Sequence, residues 1–587
     1  MDGVSAENGQ LWPRPVPLIG DPTSARQRAG DPSGWSLGIE TRQALHAVID
    51  ARRDVRRYRP DAVPDAVLRR VLTAGHHAPS VGHSQPWRFV IVTDPSIRDR
   101  AAVLADRERI RQAEQFDPDA ARRLLDLQLE GIREAPLGVV VCCDRRTPAA
   151  GVLGRATFVD TDLWSCACAI QNIWLAARAE GLGMGWVTLF RPDDLAPLLG
   201  LPEGVETLGW LCLGWPDERP PEPGLMRAGW SRRLPLDDVI LHDRWPNDEP
   251  TPEQPSSHLR APDAAHVVEP RDDADQLLTT PESLGVLDRY VNRVLALGHP
   301  RTYRAVLLVA AADHPVTVHG VSAYQPSVSR DVVAATVAGR SVGAVLASLA
   351  GIDVSVIDAG VRDGPIAGTV RADTAHARGD LVHRPALHED DAYRLLATGR
   401  ELGERLSRDY EILALGEIGV GNTTVAAALA TLLLGAEPEE LVGLGAGVDT
   451  AMLDRKRAVV SQAVTRARAA RDVNDPMAVL VEAGGPDSAV LTGTILGAAQ
   501  GGAAVVLDGL AVSVAALLAL RLEPAVQANL VAGQRSREQG HRPVLAELGL
   551  EPLLDVRMRA GEGAGAVLAT QLLMTTLRAR ARIARVH

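Results

Sequence analysis

Apolar positions fall into two regimes along the chain. From about residue 36 to 241, helical spacing and short apolar runs are interleaved. Leu45, Val48 and Ile49 share one helical face that ends near Asp54. Pro64 opens a second helix at a first-turn position, where its missing N–H costs nothing. Asp162 to Glu180 reads as a long buried helix closed by Gly181. Arg88–Val92, Leu137–Cys142, Gly185–Leu189 and Leu208–Leu213 read as strands, which makes this part α+β. From about residue 274 to 587 the pattern changes. Ala305–Ala310, Val354–Asp358, Ile412–Leu415 and Ala503–Leu507 are continuous apolar runs separated by alanine-rich helices. Such strands predict a parallel sheet covered on both faces, with ligands bound at the Gly-rich turns that follow the strands.

Aromatic usage marks the same division. All ten tryptophans and all four phenylalanines lie at or before Trp245, and the rest of the chain has neither. One core rarely divides its aromatics so unevenly, so the chain reads as two joined units, a two-domain α/β protein. The expected boundaries are a disordered or extended N-terminal segment at 1–35, a first unit at 36–241, a Pro- and Asp-rich linker at 242–273 and a second unit at 274–587. The 587 residues are 46% hydrophobic and 23% charged, which excludes disorder over the whole length. A net charge of −12 with no long basic run argues against nucleic acid. One lysine, Lys456, stands among 62 Lys and Arg residues, a bias from which no function is drawn. The first residues lack a basic and then apolar leader, and the uncharged stretch Ile418–Ala436 suits a buried helix better than a membrane span. Cys142, Cys143, Cys166, Cys168 and Cys212 lack zinc-type spacing and read as reduced, buried thiols. The expectation is a cytoplasmic protein without membrane contact.

In the first unit, Arg52-Arg53-Asp54-Val55-Arg56-Arg57 sets four guanidiniums around one carboxylate. This is either a phosphate clamp or a solvated helix end. The polar loop Ala78–Trp87, with Ser80 and Gln85, leads into a strand and offers donors to the edge of a heterocycle. RRDVR at 52–56, APSVG..QPW at 78–87, LEGIREAPL at 129–137 and QNIWLAARAEGLGMGW at 171–186 together resemble the nitroreductase-like flavoproteins, most closely 5,6-dimethylbenzimidazole synthase. The resemblance implies a homodimer that takes reduced FMN, supplied by a flavin reductase, and fragments it with molecular oxygen to dimethylbenzimidazole. It further implies that Arg52, Arg53 and Arg56 hold the phosphate and ribityl end and that Ser80 faces the isoalloxazine. Asp54 would be a proton-transfer group, or else only a partner of the arginines. Thr188 stands where the family has serine, and His83-Ser84 replaces an apolar pair.

In the second unit, Gly416-Glu417-Ile418-Gly419-Val420-Gly421-Asn422-Thr423-Thr424 follows a strand and opens a helix. Exposed amides at such a helix N-terminus suit a phosphate, although a tight strand-to-helix turn needs the same glycines. Gly443–Asp449 is a second Gly-rich turn that nearly matches a dinucleotide fingerprint. In Arg557–Ala566 a lone carboxylate, Glu562, sits among glycines, either as an available base or as a charge on a helix dipole. With SLG at 283–285, DH at 313–314, GVSAY at 320–324, GG at 484–485 and LDG at 507–509, these segments resemble nicotinate-nucleotide–dimethylbenzimidazole phosphoribosyltransferase. The resemblance implies attack of dimethylbenzimidazole on C1′ of nicotinate mononucleotide. Glu562 would serve as general base and the Gly419, Gly421, Asn422 and Thr423 turn would hold the 5′-phosphate. Glu417 and Ser322 would line the pocket. The sequence departs from that family at Ala312-Asp313-His314-Pro315, Asp331, Gly339-Arg340-Ser341 and Glu538-Gln539-Gly540-His541.

The first unit's implied product is the second unit's implied substrate. The combined reading is a bifunctional enzyme that makes and activates the lower ligand of vitamin B12-type cobamides, with no resident metal. Two alternatives remain at this point. The first unit is an ordinary NAD(P)H-dependent flavin reductase, or one half is degenerate and serves as a binding or dimerising module.

Overall fold

The computed structural model describes residues 25–31, 33–127, 130–228, 230–245, 258–280, 282–298, 302–445 and 450–586. The chain divides into two compact units, Trp35–Pro250 and a second made of Thr251–His587 together with Met1–Gly34.

The first unit is built on four antiparallel strands, β1 (Trp87–Val92), β2 (Leu137–Asp144), β3 (Gly183–Val187) and β4 (Val205–Gly214), in the order β1-β2-β4-β3. β2 is apolar from Leu137 to Cys143 because helices cover both faces, with Ile170 and Ile173 on one side and Ala101 and Ala105 on the other. The long helix Thr161–Ala179 packs on the helix Asp65–His76 and closes at Gly181 (φ 81°). β3 lies two residues earlier than the apolar run 185–189 suggests. β4 carries one extra residue opposite β2 at Leu208-Gly209, Gly209 takes φ 107°, and the pairing of β3 ends at Val187–Trp210. Thr188 therefore leaves the sheet and is exposed. The first helix ends at Ala51 rather than near Asp54, because Asp54 forms a bridge with Met184 at the edge of β3.

The second unit holds a six-stranded, wholly parallel sheet. Its strands are β5 (Ala305–Ala311), β6 (Asp353–Asp358), β7 (Val370–Arg371), β8 (Ile412–Ile418), β9 (Ala504–Leu507) and β10 (Leu530–Ala532). The order is β10-β9-β8-β5-β6-β7. The chain builds from β5 toward β7 and then returns to the other side of β5 with β8. The strand order thus reverses between β5 and β8, and the crevice at the carboxyl ends of those strands is where such sheets bind ligands. Helices of small residues cover the sheet, and glycines let them close up. A Cβ on Gly399 or Gly493 would fall 2.1 or 2.0 Å from a carbonyl of the facing helix.

Three local expectations change. Ala264–Asp275 is a helix, although its Pro and Asp content places it in an extended linker. Asp263 caps it through the amide of His266 (2.9 Å), and Arg580 reaches the carbonyl of Pro270 from the last long helix. Ala25–Gly30, inside the segment expected to be disordered or extended, is helical, while residues 1–24 lie outside the described residues. Cys168 is exposed where a buried thiol is expected, because it faces away from buried Cys166 on the same helix. Ser327–Ala350 is the one described stretch long and apolar enough to cross a membrane. It is two short helices, Ser327–Val337 and Val342–Ala350, broken at Gly339 (φ 69°).

Candidate functional site

The carboxyl ends of β5, β8 and β9 open into a cavity of about 590 Å³. Glu562, Glu417, Gly419, Gly421, Asn422, Thr423 and Ser322 all line it, so the structure brings together every residue singled out for this unit. Of the second Gly-rich turn, Gly445 lines the cavity and residues 446–449 lie outside the described residues.

Glu562 sits on a turn held in an unusual conformation. Gly561, Glu562 and Gly563 take φ of 67°, 57° and 75°, and only the middle residue carries a side chain. Left-handed backbone at a non-glycine is costly and persists where surrounding structure imposes it. Here β8 imposes it, since Glu562 N–H donates to the carbonyl of Glu417 (3.2 Å). A Cβ on Gly416 would fall 2.4 Å from Gly563 N. The Glu562 carboxylate accepts from Gly343 N–H at a helix start (3.2 Å), which orients it.

Beneath it lies a floor of carboxyl groups. Burial, then the neighbouring Asp487 and Asp508, push Glu417 up to about 8. Glu417 is thus a neutral acid at pH 7, and Asn422 Nδ2 donates to it. Burial likewise pushes Asp508 up to about 6, against hydrogen bonds from Gln534 Nε2 (2.9 Å) and the amide of Gly565 (2.9 Å). Burial also acts on Asp487, but His314 at 3.4 Å outweighs it and holds that carboxyl below its ordinary range. The carboxyl groups gathered on this side of the cavity suit the part of a ligand that develops positive charge.

The turn after β8 meets a residue to which the sequence reading assigned no role. Lys456 comes from the helix Thr450–Ala470 and is 2% exposed. Its Nζ donates to Thr423 Oγ1 (3.0 Å) and to the carbonyl of Gly443 (3.3 Å). Burial lowers its pKa and nearby Glu538 acts against that. The available signal was its singularity, a lone lysine in an arginine-rich chain. Ser329 Oγ accepts from the amide of Val420 (3.1 Å), and Asn422 Oδ1 accepts from that of Thr423 (2.7 Å). Two of the turn's amides are thus already satisfied, and Lys456 and the Thr423 hydroxyl are further polar groups beside it. His541 is structural. Its ring lies 3.0 Å from Ser513 Oγ and accepts from Ser536 N–H (2.9 Å), and burial holds it down at about 4.

In the first unit the arginines of the cluster have different partners. Arg52 lies 4.5 Å over the ring of Trp174, and its Nη1 is buried with no hydrogen-bond partner. Arg56 pairs with Asp54 (3.1 Å) and lies against Gly185, where any Cβ would clash with its guanidinium. Arg53 donates from its two terminal nitrogens to the carbonyls of Asp50 (2.6 Å), Arg52 (2.8 Å) and Pro221 (3.0 Å), while its buried Nε makes no hydrogen bond. Arg52 Nη1 has only an ion pair with Asp54 at 3.9 Å and no hydrogen bond, which leaves it, like Arg53 Nε, able to take an anion such as a flavin phosphate. Ser80 and Gln85 belong to a different wall. Ser80 Oγ accepts from Gln85 N–H (3.1 Å), and Gln85 (φ 47°) lines two cavities that Arg52, Asp54, Arg56 and Thr188 do not reach.

Residues 259–587 match the model of the family described as phosphoribosyltransferase, and residues 49–215 match that of the nitroreductase family. The nicotinate-nucleotide–dimethylbenzimidazole phosphoribosyltransferase of Thermus thermophilus is 40% identical over 319 residues, which cover 53% of this chain and 92% of that one. The Mycobacterium marinum protein of the same name is 37% identical over 332 residues, covering 56% and 92%. The crystal structure of CobT from Thermus thermophilus superposes with a TM-score of 0.51 at 38% identity, covering 55% of this chain and 97% of that one.

Proposed function

The chain belongs to the phosphoribosyltransferase family and carries a nitroreductase-family unit ahead of that domain; from this premise we propose a bifunctional enzyme that makes 5,6-dimethylbenzimidazole and converts it to α-ribazole 5′-phosphate. The observation that carries the reading is Glu562, presented on a constrained turn above the carboxyl floor and facing the cavity that holds Lys456.

In the transferase half, Lys456, Thr423 and the Gly419–Gly421 turn hold the 5′-phosphate of nicotinate mononucleotide and so place C1′ over the floor. One benzimidazole nitrogen attacks C1′ and the bond to nicotinate breaks. Nicotinate leaves from a pyridinium and needs no acid. Glu562 accepts the proton from the second benzimidazole nitrogen as positive charge grows on the ring. The neutral Glu417 lines the pocket as a donor, and the carboxylates beneath stabilise the cationic ribose in the transition state. A single displacement inverts the β-nucleotide to the α-product.

In the flavin half, Arg52 and Arg56 hold the phosphate end of FMN, and Asp54, 42% exposed beside them, is positioned to move a proton at the ribityl chain. Reduced FMN supplies both the reducing power for oxygen and the carbon skeleton of the base. Ser80 and Gln85, remote from the arginines within one protomer, complete the site from a second copy. The helix Ile39–Ala51 has no buried residue and presents Ile39, Leu45 and Ile49, a face suited to that homodimer. Thr188, exposed beyond β3, contributes its hydroxyl.

The test is an aerobic incubation of the full chain with nicotinate mononucleotide, FMN, a flavin reductase and its reduced nicotinamide donor, with products identified by mass spectrometry. α-Ribazole 5′-phosphate, with dimethylbenzimidazole as its precursor, is expected. Intact FMN at the end of the reaction sinks the synthase half, and added dimethylbenzimidazole left unreacted sinks the transferase half.

A further inference from the structure

A cluster outside both sites has the chemistry of a metal centre. His319 ends the short turn after β5, whereas Asp380 and His383 lie in the loop before the helix Glu389–Leu406. Fold, not sequence spacing, brings them together. His319 Nε2 lies 3.2 Å and His383 Nδ1 2.7 Å from the same carboxylate oxygen, Asp380 Oδ2. All three ligand atoms fall within 4.8 Å of one another. Bonds of about 2.0–2.1 Å in a tetrahedral shell set ligand atoms roughly 3.3 Å apart, so a small shift admits an ion. We propose that His319, Asp380 and His383 form a binding site for one divalent transition-metal ion of the zinc class.

The loop is built to present this set. Asp380 Oδ1 accepts from the backbone N–H of His383 (2.8 Å), which leaves Oδ2 facing both imidazoles. Leu381, between the two ligands, is 2% exposed and takes φ 69°, and Arg466 donates to its carbonyl (2.8 Å). The amide of Gly379 closes the loop on the carbonyl of Ala386 (3.1 Å), with no room for a Cβ. Two imidazoles and one carboxylate without thiolate select zinc and its neighbours over calcium or magnesium. The His383 side chain is 72% exposed, so a fourth position is open to water. A bound ion would join this loop to the segment Gly320–Ser322, whose Val321 and Ser322 line the transferase cavity. A second cluster, His376, His388 and Asp390, is exposed. Its His388 Nδ1 accepts from the amide of Asp390 (3.3 Å) to cap a helix, so that cluster serves as the control.

The full chain, stripped with a chelator and desalted, is titrated with zinc chloride against a chromogenic indicator. One ion per chain is expected, weakened at least tenfold in Asp380→Asn and in His319→Ala and unchanged in His388→Ala. Absence of stoichiometric binding, an unchanged titration in Asp380→Asn, or loss in His388→Ala overturns the site. X-ray absorption on the zinc-loaded wild-type chain settles the matter where a variant fails to fold. Two imidazoles with oxygen ligands support the site, and sulfur ligation overturns it.

Discussion

Replacing Gly416 by alanine adds one methyl group to β8, directly beneath the Glu562 turn. The new Cβ would lie 2.4 Å from Gly563 N, 2.6 Å from Gly563 Cα and 2.7 Å from Glu562 C. Carbon atoms pack at roughly 3.5–4.0 Å, so about 1 Å of movement is required. All three atoms are backbone, and no rotamer change absorbs the overlap. β8 is held on both sides by β5 and β9, so the turn is what moves. A displacement of that size at a catalytic group costs on the order of 10² in rate. Overpacking strain costs about 1–3 kcal/mol, which lowers the melting temperature of a unit this large by roughly 2–4 °C per kcal/mol. The assay supplies nicotinate mononucleotide and dimethylbenzimidazole and follows α-ribazole 5′-phosphate by chromatography. Gly416→Ala is expected to lower kcat about a hundredfold while the nucleotide KM stays within about threefold, because Lys456 and Thr423 are untouched. Glu562→Gln should lower kcat by roughly 10²–10⁴ with no loss of melting temperature. The double variant should be little worse than Glu562→Gln, since both act through one carboxylate. A Gly416→Ala enzyme that keeps wild-type kcat would refute the claim that β8 positions Glu562.

Three further outcomes are expected. Lys456→Met should raise the KM for nicotinate mononucleotide by roughly ten- to hundredfold and leave binding of dimethylbenzimidazole, read by calorimetry, unchanged; an unaltered nucleotide KM would remove Lys456 from the phosphate site. Glu417 makes the second unit less stable as pH rises. Between its ordinary value of 4.5 and about 8 the native chain holds a proton that the unfolded chain has released, so stability falls through that window by at most about 1.4 kcal/mol per pH unit. Glu417→Gln should flatten this slope in denaturant titrations at pH 5, 6, 7 and 8, and an unchanged slope would place the proton elsewhere. Arg52→Ala should weaken FMN binding at least tenfold by fluorescence titration with little change in folding, whereas Arg53→Ala should mainly destabilise the unit by about 1 kcal/mol through loss of its helix-end hydrogen bonds. The opposite result would return Arg53 to the phosphate clamp.

Much of this molecule is legible from local pattern. Uninterrupted apolar runs such as Leu307–Ala311 and Leu413–Leu415 have no solvent face, which a parallel sheet covered by helices on both sides provides. Glycines in 416–421 and 561–563 mark where backbone must approach backbone or take positive φ, so both functional turns could be located before any contact was known. What local pattern leaves open is which distant groups meet. Lys456 reaches Thr423, Asp487 and Asp508 raise Glu417, and His319 meets Asp380 only because strands and helices far apart in sequence converge at one end of a sheet. The same convergence turned Arg53 to backbone carbonyls, set Ser80 and Gln85 apart from Arg52, and moved Thr188 off its strand. Periodicity records how each residue is buried, because burial is a property of one position and its near neighbours. Charge coupling, capping and cavity shape depend on distances across the fold, and those exist only once the chain has packed.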